Sequence, residues 1–323
     1  MHGKTWAIVL AAGEGSRLHD LTTTSIGVAV PKQFCSLHGG PSLLQDALRR
    51  AKSVAPPERV CAIVASQHRP WWRELTQVMP ERNVIVQPNN RGTGIGILLP
   101  LLHVMARDPE ARVVLLPSDH HVCDEGVLAR ALRSAVLEVE TRPNELVALG
   151  LTPEEADPEL GYIVPGASEG DGIAKVARFV EKPSAELAQV LVAAGALWNA
   201  FIVAADARTL LATYETRFAD VVAAMRTAVE RDACVPNDPI AAQSLYEKLP
   251  TIDFSRRVME GAESMLRVLS VPPCGWSDLG TPRRVAETLQ RSRSRVSEWD
   301  SIGASLTGFL SLAAQHARSV AHV

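Results

Sequence analysis

The chain has 323 residues, 46% of them hydrophobic, which is enough for a large core in one or two domains. Its formal net charge of −3 supplies no basic field, so neither nucleic acid nor a membrane is expected as a partner. Five scattered cysteines with no C-x-x-C pair point to a reduced, cytoplasmic protein rather than a disulfide scaffold or zinc module.

Trp6–Ala11 reads as a buried strand. As a signal-peptide core the run is short, and a charged glycine turn follows it. Leu43–Val54 predicts a helix entered through Pro41-Ser42, and Val60–Ala65 a second strand. Pro70–Val78 reads as a helix and Asn83–Val86 as a short strand. Gly94–Ala106 is helical. It contains the longest apolar stretch, which carries Pro100 and His103 and is too short to span a bilayer. Val113–Leu116, Glu125–Thr141 and Leu146–Leu149 read as strand, helix and strand. Strands alternating with helices imply parallel β-α-β units and a sheet covered on both faces.

Past residue 150 the pattern loosens. "GYIVPG" and "AKVARFV" read as strands, and "SAELAQVLVAAG" as a helix capped by Ser184 and Gly195. "LWNAFIVAA" is a strand. Helices fill Asp206–Tyr214, Ala219–Arg231 and Ile240–Lys248, and a strand near Met265–Val271 leads into "GWSDLG". Arg283–Val323 is rich in Ser, Arg and Ala and is expected to be helical in part. The predicted class is α/β: a Rossmann-like mixed, mainly parallel sheet with helices on both faces, plus an α+β portion.

The glycine turn after the first strand, "IVLAAGEGSRL", raises the question of a dinucleotide fingerprint. That motif needs a third glycine where this chain has Leu18. What remains is Gly13-x-Gly15-x-Arg17. Glycines after a strand let backbone amides approach a phosphate, and Arg17 adds a forked cation. A tight turn with a surface arginine is the plain alternative. The chain has only six lysines, and two of them stand beside proline: Lys32 in "PKQ" and Lys182 in "EKP". A lysine is a mobile point charge suited to phosphate; a surface position beside a turn is the competing reading.

"LLPSDHH" puts Asp119 just past a buried strand, at the end where open α/β sheets bind ligands. A carboxylate there suits Mg²⁺. His120 and His121 are neighbours on an extended segment and point opposite ways, which argues against a shared metal. "GWSDLG" places Asp278 between glycines, where it completes a metal site with Asp119 or caps its own turn. Glu181, Lys182 and Asn199 form an acid, cation and amide set that suits a sugar phosphate.

Taken in order, "LAAGEGSRL", "PKQF", "PSDH", "GYI", "FVEKP", "LWN" and "GWSDLG" resemble the sugar-phosphate nucleotidyltransferases. Within that family the mannose-1-phosphate guanylyltransferases are most similar, and the resemblance covers roughly residues 5–285. It implies a nucleotidyltransferase domain over 1–285, with a nucleotide-binding half (1–150) and a sugar-phosphate half (151–285). Residues 286–323 would form a helical or partly disordered tail. It further implies that Ala12, Gly13, Gly15, Arg17, Lys32, Gln87, Arg91, Thr93 and Asp119 bind the nucleoside triphosphate. Gly161, Glu181, Lys182 and Asn199 would bind the sugar 1-phosphate, and Asp119 and Asp278 would hold Mg²⁺. Arg17, Lys32 and Lys182 would be the catalytic cations.

The expected reaction is nucleotidyl transfer from GTP to mannose 1-phosphate, with another base or sugar, or a non-catalytic regulatory relative, as alternatives. The chain departs from the family pattern in four places. The link between Arg17 and Lys32 is long. Gly92, Gly94 and Ile95 replace the usual residues around Thr93. Glu159-Leu160 precedes "GYI", and Ala200-Phe201 follows Asn199. The apolar tail "SLTGFLSLAAQHA" could dock on the body or on a second subunit, which would make a homodimer.

Overall fold

The computed structural model describes residues 3–36, 40–170, 172–233 and 240–297. Among the described residues nine strands form one mixed sheet: β1 (Thr5–Ala11), β2 (Val60–Ala65), β3 (Val84–Gln87), β4 (Arg112–Pro117), β5 (Leu146–Leu151), β6 (Gly161–Gly170), β7 (Ile173–Glu181), β8 (Leu197–Asp206) and β9 (Leu266–Val271). Their order is β3-β2-β1-β4-β8-β5-β9-β7-β6. The first four pair in parallel. β8 then enters antiparallel between β4 and β5. β9 runs parallel to β5, and β7 and β6 follow antiparallel. β6 also pairs with the start of β8 through Tyr162 and Ile163, so the pairings of the second half return on themselves.

The helices are α1 (His19–Thr22), α2 (Leu43–Lys52), α3 (Arg69–Trp72), α4 (Leu75–Val78), α5 (Gly92–Arg107), α6 (Glu125–Thr141), α7 (Ala185–Ala193), α8 (Ala207–Ala233), α9 (Ile240–Tyr246) and α10 (Pro282–Ser297). The two-residue period of β1 explains how both sheet faces are covered. Ala7, Val9 and Ala11 enter one core with Leu44 of α2 and Leu132 of α6. Trp6 and Ile8 enter the other with Leu98 of α5 and Tyr214 of α8. β2 (VCAIVA) is buried at every position, as a central parallel strand must be. Ser42 and Gln45 form a capping box at α2, and Ser184 caps α7 through the Leu187 amide.

Several boundaries differ from expectation. The helix expected over Pro70–Val78 forms as two separate turns, α3 and α4. The break follows Trp72, whose buried indole donates to the Ala65 carbonyl at 2.8 Å. The two helices expected over Asp206–Tyr214 and Ala219–Arg231 are found within α8, divided where expected by the non-helical backbone of Phe218 (φ −138°, ψ 38°). The division expected at residue 150 falls inside β5, in the middle of the shared sheet. α10 begins before residue 286, and residues 298–323 lie outside the described residues. No helix among the described residues is long and apolar enough to cross a membrane.

Candidate active site

A cleft of about 470 Å³ opens where β1, β3 and β4 end, as expected for an open α/β sheet. Its floor is the loop after β1. Gln33 pins that loop, donating from Nε2 to the carbonyls of Ala11 and Gly13 at 3.0 and 2.9 Å. Gly15 is left-handed (φ 64°), and a Cβ there would stand 3.1 Å from the Lys32 backbone nitrogen. Glycine is needed for both reasons. Leu18, which stands where a dinucleotide motif would have glycine, is buried with Val30, Leu43, Leu279 and Val285. The glycine loop is therefore packed onto the turn that carries Asp278. Arg17 lines the cleft and pairs with Glu159 at 3.1 Å across its mouth.

Gln87 is 2% exposed and lines the cleft, yet its Oε1 finds no hydrogen-bond partner among the described residues. The Arg91–Thr93 loop is zipped to the segment around Ile252. Ile252 donates to the Arg91 carbonyl at 3.0 Å, Gly94 donates to the Ile252 carbonyl at 2.7 Å, and Phe254 donates to Thr93 Oγ1 at 2.9 Å. A Cβ on Gly92 or Gly94 would collide with Ile252. That contact accounts for the glycines in this unusual loop. The Arg91 guanidinium is occupied elsewhere, donating to the carbonyls of Tyr246 and Glu247 at the end of α9, and it does not line the cleft.

The acidic centre is assembled by a two-way backbone bridge. His121 and Ser277 each donate to the other's carbonyl at 2.9 Å, which brings the segments of Asp119 and Asp278 together. Buried Lys32 stands between them. Its Nζ lies 2.8 Å from Asp119 Oδ2 and donates to the Asp278 carbonyl at 2.6 Å. Burial works against the Asp119 charge, but Lys32 and His120 outweigh it and hold the carboxyl below its ordinary range. Asp278 Oδ1 accepts from Arg284 and from the Gly280 amide.

The two histidines part ways. His121 Nε2 meets Cys123 at 3.5 Å. His120 stacks edge-on against Trp276 and accepts the indole proton on Nδ1 at 3.2 Å. Burial, with Lys32 and Arg50 nearby, pushes His120 down to about 4, so it is neutral at physiological pH. Near these groups the carboxylates of Asp119, Asp157 and Asp278 face the cations of Lys32 and Arg284, which leaves a negative surplus. With Asp119 Oδ1 and Asp278 Oδ2 still to offer, this is a hard-oxygen donor set. It fits a divalent cation whose other ligands are phosphate and water.

At the far end of the cleft, Gly161 opens space for Glu181, because a Cβ there would lie 2.5 Å from Oε2. Burial, with Asp253 behind it, pushes Glu181 up to about 7, against Lys182, Ser255 and Arg256. Asn199 Oδ1 accepts from the Phe201 amide at 3.0 Å, which holds Phe201 left-handed at φ 56°. Lys182 is exposed on the rim, also left-handed, and does not line the cleft.

The structure thus brings Ala12, Gly13, Gly15, Arg17, Gln87, Thr93, Asp119, Gly161, Glu181, Asn199 and Asp278 to one cleft. It sets Lys32 directly beneath that cleft. Sequence reasoning missed Gln33, His120, Glu159, Asp253, Trp276 and Arg284. Gln33 and Trp276 sat inside motifs already singled out; Asp253 and Arg284 carried no local signal.

The nucleotidyl transferase family model matches residues 6–294. The chain is 31% identical to the mannose-1-phosphate guanylyltransferase of Escherichia coli (strain K12), over 86% of this chain and 58% of that protein. It is also 31% identical to the mannose-1-phosphate guanylyltransferase of Sinorhizobium fredii (strain NBRC 101917 / NGR234), over 84% and 52%. It therefore spans little more than half the length of these curated relatives. Among solved structures, the mannose-1-phosphate geranyltransferase of Thermus thermophilus aligns with a TM-score of 0.71 at 30% identity. That alignment covers 86% of this chain and 76% of that one.

Proposed function

The chain belongs to the nucleotidyl transferase family, and from that premise we propose that it transfers a guanylyl group from GTP to mannose 1-phosphate, releasing pyrophosphate. The observation that carries this reading is the buried Lys32, gripped between Asp119 and the Asp278 carbonyl under the glycine loop. Attack by a sugar-phosphate oxygen on the α-phosphorus needs no protein nucleophile. Positioning and charge neutralisation are the whole task. The Gly13–Gly15 amides, Arg17 and Lys32 take the triphosphate, and the two cations stabilise the departing pyrophosphate. Because Lys32 is already fixed by two oxygens, little reorganisation remains when phosphate arrives.

Asp119 and Asp278 would hold Mg²⁺, which when bound supplies neutralisation at the reacting phosphates. Glu181 and Asn199 bind sugar hydroxyls beside Gly161, and Lys182 on the rim receives the sugar's phosphate. Gln87 supports a nucleobase in this part of the cleft. Its buried side-chain oxygen lines the cleft and can accept from an N–H on a base edge, a donor that every base carries, so it does not by itself choose guanine.

The test is pyrophosphate release from a matrix of GTP, ATP, UTP, CTP and dTTP against mannose 1-phosphate and glucose 1-phosphate. GTP with mannose 1-phosphate is expected to have the highest kcat/KM. A different best pair would reassign base or sugar. Release from no pair, with nucleotide still bound, would make the protein a non-catalytic relative.

A further inference from the structure

Arg284 stands in an electrostatically poor place. It is in the first turn of α10, at the positive end of the helix dipole, and only 7% of its surface is exposed. A buried guanidinium is costly unless carboxylates meet it. Two do: Asp278 on one arm and Asp157 on the other. Asp157 is itself locked. Its amide donates to the Tyr162 hydroxyl at 2.8 Å, that hydroxyl donates back to its carbonyl at 3.0 Å, and its Oδ1 accepts from the Glu159 amide at 2.7 Å. Beside the fork, Leu279 and Val285 are buried against Leu18. The guanidinium is therefore anchored on rigid structure on the side away from the cleft.

The consequence falls on Asp278. One carboxylate oxygen, Oδ1, is committed to Arg284 and to the Gly280 amide at 3.1 Å. A Cβ on Gly280 would collide with the other oxygen, so the turn closes tightly around the carboxylate. Two donors on one oxygen fix the plane of the group and leave Oδ2 as the ligating atom. We propose that Arg284 is a positioning residue: clamped by Asp157, it orients the Asp278 carboxylate for a divalent cation without touching substrate. This rests on the reading of Asp278 as a cation ligand. It also gives the 157–160 segment a role, since one short loop grips Arg284 through Asp157 and Arg17 through Glu159.

The probe is Mn²⁺ binding to the full chain, followed by electron paramagnetic resonance of the free ion. It is applied to the parent, Asp278→Asn, Arg284→Gln, Arg284→Lys and Asp157→Asn. Outer partners of metal ligands typically change affinity by about 10- to 100-fold, and Arg284→Gln is expected to weaken Mn²⁺ binding by at least about tenfold. It should raise by a similar factor the Mg²⁺ needed for half-maximal pyrophosphate release, while the sugar-phosphate KM moves by less than about twofold. Arg284→Lys keeps the charge but not the fork, and should recover part of the affinity. Asp157→Asn loses less, in the same direction, and carries the test if Arg284→Gln does not fold.

Parent-like or tighter Mn²⁺ binding in folded Arg284→Gln overturns the inference. If the parent and Asp278→Asn bind Mn²⁺ alike, the cation-site reading fails as well, which separates the two failures.

Discussion

The two halves of the sheet handle left-handed backbone in different ways. In the half built on β1–β4, the left-handed residues at the cleft are glycines, Gly15 and Gly92. In the half built on β5–β9, three residues with side chains adopt this conformation at or beside the cleft: Lys182, Phe201 and Leu279. Glycine goes there freely, whereas any other residue costs roughly 1–2 kcal/mol.

Packing offsets the cost at Leu279 and Phe201. Leu279 is 1% exposed, and burying a leucine stabilises by about 1.5–3 kcal/mol. Phe201 meets Phe254 edge-on at 6.0 Å, a contact worth about 0.5–1.5 kcal/mol. The loop after β1 is thus shaped by glycines that let backbone approach, whereas Lys182, Phe201 and Leu279 present side chains at angles that a regular strand would not give. Gly161 is the glycine that opens space at the Glu181 end.

The largest test of this division is Asp278→Asn. The fold should survive, while pyrophosphate release falls by roughly a thousandfold, as loss of several kcal/mol of charge stabilisation implies. Wild-type-like turnover would remove the metal from that end of the cleft.

One added methyl then probes each half. Gly15→Ala meets both a positive φ and the Lys32 backbone, so kcat/KM for the triphosphate should fall by about a hundredfold. Gly161→Ala meets the movable end of Glu181 and, less closely, Asn199 Cβ at 3.3 Å, and should raise the sugar-phosphate KM by about tenfold. Steady-state kinetics with each substrate varied would show the reverse order if the backbone–side-chain contrast is mistaken.

Glu181 gives a pH signature. Its carboxyl is raised from 4.5 to about 7, so between those values the folded state keeps a proton that the unfolded chain has released. Stability contributed by this group therefore falls as pH rises through that window and is level above it. Glu181→Gln should raise the thermal midpoint at pH 8, by about 2 kcal/mol in stability, and leave it unchanged at pH 4. Equal midpoints at both pH values would mean an ordinary carboxylate. The smallest effect belongs to Glu159→Gln. Its exposed pair with Arg17 is worth less than about 1 kcal/mol, so the triphosphate KM should fall by no more than about threefold, and only at low salt.

Much of the first half was legible because parallel strands and their loops are contiguous in sequence. "AAGEGSR", "PKQF" and "PSD" each lie at one strand end or in one loop, so motif and site coincide. The second half was legible at Glu181, Asn199 and Asp278 but not at Asp253 or Arg284. Those two reach the site by long-range packing: the segment of Ile252 on α5, and α10 beneath the Asp278 turn. Arg91 shows the converse, because a residue inside a familiar motif can spend its charge on a neighbouring helix end.

By itself the sequence determined the alternation of strand and helix, the glycine turn that is not a dinucleotide fingerprint, and the acids and lysines available for chemistry. All of these are written in local spacing and side-chain type. Only the tertiary structure decided which cations meet which acids, why Gly92 and Gly94 must lack side chains, and what holds Asp278 still. Those outcomes depend on buried charges finding partners from distant segments. Pairing of that kind is set by how the elements pack and leaves no periodic trace along the chain.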